Sequence, residues 1–209
     1  PVLASPAQLY LPSIQEDETN SEGDTVGGLL GSAYSDADGN LCGVAVYAQD
    51  AGHGTWHYRA PKEVAWLPMG AVSTAAARLL GPTMFVRFVP AAGYSGTITD
   101  GLRFRAWDRS AGDNGSTASV VTNGGSTPYS AGTGRIGVTV RPANDAPVLS
   151  GSGSLAFAAI TENQFDNPGS TVLNLIKRAA SDPDGDACGI AVLLVQPDDG
   201  DTARVPVLN

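Results

Sequence analysis

Histidine and cysteine occur only twice each in 209 residues, which removes most of the chemistry that relies on them. A zinc centre needs several nitrogen or sulfur ligands converging on one point, and His53 and His57 merely flank one turn. No Gly-x-Ser-x-Gly elbow presents a nucleophilic serine, and no glycine-rich loop follows a strand and opens a helix, so phosphate cradling has no sequence support. Basic residues are also few: 12 Lys and Arg stand against 21 Asp and Glu, a net charge of −9. That balance excludes nucleic acid and an anionic membrane surface as natural partners and favours multivalent cations. No apolar run approaches the roughly 20 residues needed to span a bilayer as a helix, and no secretion-type segment opens the chain. The opening Pro1-Val2-Leu3 reads instead as the start of a repeat within a longer protein.

What the chain does contain is an echo of itself. Ser35-Asp36-Ala37-Asp38-Gly39 returns as Ser181-Asp182-Pro183-Asp184-Gly185, an offset of 182 − 36 = 146. At the same offset Pro1-Val2-Leu3 falls on Pro147-Val148-Leu149, Ile14 and Glu16 on Ile160 and Glu162, and Thr25-Val26 on Thr171-Val172. Cys42-Gly43 falls on Cys188-Gly189, Ala45-Val46 on Ala191-Val192, and Gly54 on Gly200. A register held without a gap for some fifty positions implies tandem duplication. The expected organisation is a complete unit over residues 1–146 and the first part of a second over 147–209. The two cysteines then occupy equivalent positions, so neither has an intra-unit partner. Both are expected to be buried thiols, on the strand faces Cys42, Val44, Val46 and Cys188, Ile190, Val192, Leu194.

The apolar residues, 42% of the chain, suffice for a core, and their spacing is that of strands. Residues 1–14 read as an irregular edge strand, Thr25 to Leu30 as a short apolar strand, and Leu41 to Ala48 as an alternating strand. Thr55 to Arg59 is expected to be the hairpin partner of that last strand, across Gly52 to Gly54. Ala75 to Leu80 is the one candidate helix, capped by Ser73 or Thr74 and stopped by Gly81-Pro82. Met84 to Val89, Leu102 to Trp107 and Ile136 to Val140 complete the strand set. Between them residues 110–133, rich in Gly, Ser, Thr and Asn, read as a protruding arm or mobile loop. Short alternating strands with almost no helix predict an all-β fold, an antiparallel β-sandwich.

Asp36 and Asp38, followed by Gly39 and Asn40, place three oxygen-bearing side chains on one tight loop. Two carboxylates so close repel one another unless a cation lies between them. A hard divalent ion satisfies them, and Ca2+, with six to eight oxygen ligands and tolerant geometry, suits a flexible loop better than Mg2+. Asp182, Asp184 and Asp186 offer the same arrangement in the second copy. Asp-x-Asp-Gly is equally ordinary turn chemistry, so the weight rests on companions at other strand ends: Glu16, Asp108, Asn144 and Asp145.

Taken together these phrases resemble the cadherins and bacterial cadherin-like repeats: Ile14-Gln15-Glu16 near the first strand, Asp36-Ala37-Asp38, Ala106-Trp107-Asp108 after a late strand, and Asn144-Asp145-Ala146-Pro147 at the junction. The similarity is closer to the long tandem repeats of giant bacterial surface proteins, in phrases such as Gly54-Thr55-Trp56-His57-Tyr58 and Phe104-Arg105-Ala106-Trp107-Asp108. The resemblance implies immunoglobulin-like sandwiches in tandem, outside the cell, with Ca2+ at each junction stiffening a rod for adhesion or an extracellular filament, and no enzymatic activity. It implies that Glu16, Asn144, Asp145, Asp182 and Asp184 serve one junction. Asp36, Asp38 and Asp108 would face a preceding linker, and Glu162 a following one. Asp100 is the candidate for a further acidic position. One ion per junction is expected, with a Kd near the extracellular range of roughly 10⁻⁴ to 10⁻³ M.

A second reading makes the chain a carbohydrate-binding module of a secreted protein, its site formed by the aromatics Trp56, Trp66, Tyr58 and Tyr94, which would stack surface glycans, and by the Ser110 to Thr133 loop. Trp56 and Tyr58 share a strand face that suits a core, which leaves Trp66, in an exposed loop, as the main candidate. The partial second copy would leave rows such as Ile190, Val192 and Leu194 uncovered, either because more of the array follows or because another chain, a copy of this one included, adds strands to it.

Overall fold

A computed structural model describes residues 1–4, 7–150, 155–176 and 179–192. The chain divides into two compact units, Pro1–Ala143 and Asn144–Asn209. The expected positions Leu194 and Gly200 lie outside the described residues.

The first unit is a β-sandwich. Its strands are β1 (Val2–Leu3), β2 (Ala7–Tyr10), β3 (Ile14–Gln15), β4 (Asp24–Thr25), β5 (Tyr34–Ser35), β6 (Gly43–Gln49), β7 (Gly54–Arg59), β8 (Leu67–Pro68), β9 (Ala77–Leu80), β10 (Phe85–Pro90), β11 (Gly96–Trp107), β12 (Thr117–Ala118) and β13 (Gly134–Arg141). One sheet runs β12-β9-β6-β11-β13-β2, with β3 continuing along β13, and the other runs β4-β10-β7-β8. β1 and β5 form a separate ribbon. Alternation decides what lies between the sheets. Trp56 and Tyr58 of β7 and Val86 and Phe88 of β10 point inward from one sheet. They meet Val44 and Val46 of β6, Leu102, Phe104 and Ala106 of β11, and Ile136, Val138 and Val140 of β13 from the other. Pairing is antiparallel except at β13, whose neighbours β2 and β3 run parallel to it.

Four expectations change. Ala77–Leu80 is a strand, not a helix, although alanine favours helix. Val44, Ala45 and Val46 of β6 pair with Leu80, Leu79 and Arg78, and burial on both faces overrides local propensity. Ser73, the expected cap, closes a turn instead, its Oγ accepting from the Ala76 N–H at 3.2 Å. Conversely Val26–Leu30 is one turn of helix, α1, because Thr25 Oγ1 caps the Gly28 N–H at 3.1 Å and Val26 and Leu30, four apart, both enter the core. β7 is not the hairpin partner of β6. The chain crosses from one sheet to the other, fastened by the Trp56 indole N–H, which donates to the Asp50 carbonyl at 3.0 Å.

Residues 110–133 do not protrude. They fold over the outer face of the larger sheet as a flap, where Val120 and Tyr129 bury Ala45, Ala77, Leu79 and Trp107 in a second core. Backbone bonds pin the flap: Leu79 N–H to Ser116 O at 3.0 Å, Val120 N–H to Thr74 O at 2.8 Å and Asp108 N–H to Pro128 O at 3.1 Å. The composition suggested a loop because so few flap residues are apolar, but Val120 and Tyr129 are enough to seat it.

The second unit repeats local details at the 146-residue offset. β14 (Val148–Leu149) pairs with β15 (Ala180–Ser181) through Val148↔Ser181 and Leu149↔Ala180, as Val2↔Ser35 and Leu3↔Tyr34 do in the first unit. The helical turn α2 (Val172–Ile176) stands 146 residues after α1. Cys42 is buried as expected, whereas Cys188 is only half-buried.

Two outcomes test this packing. A Cβ at Gly101 would collide with the Trp56 ring, so Gly101→Ala should lower unit stability by about 1–3 kcal/mol in urea titration. Val120→Asp should expose residues 110–133 to limited proteolysis, to which the parent chain resists cleavage in that segment.

Candidate functional site

The β1–β5 ribbon brings the start of the chain to the Asp-x-Asp loop. Asp36 Oδ1 accepts from the backbone N–H of Asp38 at 3.0 Å and of Asn40 at 3.2 Å, and Gly39, at φ +75°, turns the chain in the left-handed region that glycine tolerates. The Pro1 amine lies 3.2 Å from Asp36 Oδ2, and the Asp36 side chain is only 4% exposed. The Asn40 N–H chiefly holds the Asp36 carboxyl below its usual 3.8, with burial opposing and the Pro1 amine and Asp38 N–H assisting.

Asp108 extends from the end of β11. Its Oδ1 accepts from the Ser110 N–H at 2.8 Å and from the Ser110 hydroxyl at 2.7 Å. Asp36, Asp38, Asn40 and Asp108 line one cleft of about 540 Å3, whose far wall is Gly124 to Thr127 of the flap. Beneath it the Cys42 thiol is pushed up to about 11, first by burial and then by the charge of Asp36, with Asp108 adding to it. Three carboxylates and an amide form an all-oxygen donor set suited to a hard cation. Among the described residues, however, no three His, Cys, Asp or Glu side chains gather closely enough to hold a metal by themselves. A cation in the cleft would therefore also draw on Asn40, backbone carbonyls and water.

Glu16 lies elsewhere in the unit. It is buried, its Oε1 accepts from the Ala143 N–H at 2.7 Å, and its own N–H donates to the Arg141 carbonyl at 2.9 Å. Because Phe104 pairs with Gly134, Asp108 is at the start of β13 and Glu16 at its end. The eight residues of β13 alone span about 25 Å, and Asp108 lies four residues past Phe104, so the two carboxylates are farther apart than that.

In the second unit Asp182 Oδ1 accepts from the N–H of Asp184 at 3.0 Å and of Asp186 at 3.4 Å, and Gly185 has φ +79°. The Asp145 N–H donates to Asp184 Oδ2 at 2.7 Å, and the Asn144 amide donates to the Asp145 carbonyl at 3.0 Å. Asn144, Asp145, Asp182 and Asp184 thus form one neighbourhood. Glu162 does not join it and sits exposed in a turn, unlike its counterpart Glu16. Asp100 is clasped by Arg103 and, at 3.5 Å, by Arg135, an arginine-satisfied carboxylate on a sheet face.

The remaining candidates are engaged locally, except that His57 Nδ1 is buried with no hydrogen-bond partner. His53 Nδ1 lies 3.0 Å from Asp50 Oδ2, with its ring 4.6 Å from that of Tyr94. His57 is half-buried, and burial first, Arg87 second, lower its pKa. Trp56 and Tyr58 are core residues as expected. Trp66 is half-buried rather than exposed, with the Arg87 and Arg59 guanidinium groups 4.3 and 4.9 Å from its ring. The sequence reading offered the Ser110 to Thr133 loop for glycans and did not foresee it as the wall of the acidic cleft. The Gly124-Gly125 pair, both at positive φ, was the only local sign of a tight wall there.

No protein-family model, curated protein or solved structure matches this chain.

The titrating groups set an acid limit. Asp36, Asp50 and Asp100 all sit below 3.8, for Asp50 because the Gly52 N–H donates to it and for Asp100 because Arg103 pairs with it. His57 sits below 6.5. In each case the unfolded chain binds protons more readily, so the stability these groups contribute is present at neutral pH and lost on acidification. Urea midpoints should decline in two stages, from His57 as pH drops below 6.5 and from the carboxylates below 3.8. His57→Gln should remove the first stage and leave the second.

Proposed function

We propose that the chain is a non-enzymatic, calcium-binding segment of an extracellular tandem-repeat protein, in which Ca2+ at the junction between units stiffens a rod for cell adhesion or an external filament. The observation that carries this reading is the Asp-x-Asp loop, whose backbone hydrogen bonds recur 146 residues apart: Asp36 Oδ1 with Asp38 and Asn40, Asp182 Oδ1 with Asp184 and Asp186.

The polarity of the first unit supports it. The acidic cleft of Asp36, Asp38 and Asp108 occupies one end of β13, and Glu16, bonded to Ala143 just ahead of Asn144, occupies the other. Repeats joined head to tail would present the Glu16 end of one to the Asp-x-Asp end of the next. The ligands on this reading are Glu16, Asn144, Asp145, Asp182 and Asp184 for the junction within the chain. Asp36, Asp38 and Asp108 serve a preceding unit, and Glu162 a following one. The bonding of Asp145 to Asp184 within the second unit fits such a shared site. Where a unit precedes, Pro1 nitrogen would be an uncharged peptide nitrogen, and Asp36 Oδ2 would turn to a cation in place of the amine. Oxygen ligands on loops predict weak, extracellular-range affinity, with Kd about 10⁻⁴ to 10⁻³ M.

Calorimetric titration of the full chain with Ca2+ should show binding in that range, reduced by Asp182→Asn together with Asp184→Asn. Small-angle scattering in Ca2+ and in chelator should differ in maximum dimension. Superimposable scattering profiles with no heat of binding would sink the proposal.

A further inference from the structure

The outer face of the smaller sheet carries two arginines for which the chain supplies too few acceptors. Trp56, Tyr58, Val86 and Phe88 point inward, so His57 and Arg59 of β7 and Phe85 and Arg87 of β10 point outward, and the register sets Arg87 opposite His57 and Arg59 opposite Phe85. Trp66, just ahead of β8, lies over this group, its ring 4.3 Å from the Arg87 guanidinium and 4.9 Å from that of Arg59, while the Phe85 ring is 4.8 Å from Arg59. Arg87 is only 9% exposed, yet among the described residues it forms no ion pair. Its Nη1 donates to neutral oxygens, the Ser21 carbonyl at 3.3 Å and Asn20 Oδ1 at 3.5 Å. Arginine is seldom buried without a charged partner. Arg87 Nε, Arg59 Nε and His57 Nδ1 are all buried without a hydrogen-bond partner, three of the five such side-chain atoms among the described residues, gathered on one face. Aromatic faces offset part of the charge but accept no hydrogen bond in the guanidinium plane. The one carboxylate at hand is that of Glu22, whose Oε2 stands 3.7 Å from Arg59 Nη2 on a side chain that is 86% exposed, a loose pair at the solvent edge of the cluster.

We infer that Arg59, Arg87 and Trp66 form a binding site for a carboxylate-bearing sugar, a uronic acid residue of an acidic saccharide. A carboxylate matches the two-pronged donor geometry of a guanidinium, and it enters by taking the place of Glu22 at Arg59. Trp66 is half-buried, so part of its ring meets solvent beside the guanidinium groups and offers a flat surface to the sugar ring. The segment that carries Trp66 is lightly held: Arg59 Nη1 donates to the Glu63 carbonyl at 2.8 Å, and residues 61–65 are exposed. Drawing that ring aside brings the carboxylate onto Arg87. An acidic peptide fits this place less well, because β8 is the edge of the sheet and its last residue, Pro68, has no N–H with which to pair an added strand. The net charge of −9 does not prevent contact with an anion, since repulsion from distant carboxylates is screened beyond about 8 Å at physiological salt and the local excess of positive charge decides.

Calorimetric titration of the full chain with trigalacturonate should show binding, and the methyl-esterified trimer, which has the same rings without the charge, should show none. Arg59→Gln should weaken binding roughly tenfold or more, the cost of losing a hydrogen bond to a charged group. Glu22→Gln should tighten it, because the competing carboxylate is gone. Glu22 is so exposed that its replacement leaves the fold intact, and the direction of its effect therefore decides the matter even if Arg59→Gln loosens the sheet. The inference is overturned if trigalacturonate gives no heat, if the ester binds equally well, if poly-glutamate binds as tightly as the sugar, or if Glu22→Gln leaves affinity unchanged or lowers it. All titrations are run in chelator, which removes calcium bridging and makes the result independent of whether the chain binds calcium.

Discussion

Trp56 lies where two sheets, two strand crossings and one glycine have to agree. Its ring fills the space beside Gly101 that any side chain would occupy, and it packs against Phe88 with centroids 4.9 Å apart. Its indole N–H reaches the Asp50 carbonyl, which fixes where the chain leaves the larger sheet and enters the smaller one. β11 changes register across this point against β13, between Ile98 and Leu102, and just beyond it against β6, between Arg103 and Phe104. Bulges of this kind re-aim side chains without ending a strand. A large ring buried on a glycine therefore sets the spacing of the sheets, and the positions of Asp108 and of the cleft follow from it.

Much of this was legible from alternation. The inward rows of β6, β10, β11 and β13 and the burial of Trp56, Tyr58 and Cys42 follow from period-two patterning, which is a local property. What alternation does not reveal is which strands are neighbours. Thr55 to Arg59 looked like a hairpin partner because only a short glycine-rich turn separates it from β6, yet a turn of that length also suits a crossing between stacked sheets. Ala77–Leu80 carried a helical composition and became a strand because both its faces had somewhere to go. The flap was misjudged for a related reason. Few of its side chains do the covering, chiefly Val120 and Tyr129 with Ala118 beside them, and the rest of its attachment is hydrogen bonding, through the backbone and through Asn114 and Ser130, that apolar composition does not encode.

For the acidic site, the residue types and the offset were readable in the sequence, and Asp36, Asp38 and Asp108 line one cleft. The hydrogen bond that the Ala143 N–H donates to Glu16 was not foreseen, and neither was the flap as the opposite wall. Both depend on chain segments about a hundred residues apart meeting, a distance over which a single sequence carries little signal. Glu162 and Cys188 show the reverse case. Their identities repeat those of Glu16 and Cys42, but burial belongs to the surroundings, and the surroundings differ.

The parallel pairing of β2 and β3 with β13 also determines how the first unit bears load. β13 is the last strand before Ala143, and β2 and β3 are among the first, so tension applied at the two ends of the unit slides these strands along one another. The hydrogen bonds between them are then strained together instead of one after another, as they would be if the strands peeled apart from a shared end. Traction would thus meet its greatest resistance at the seam between the earliest and latest strands of the sandwich.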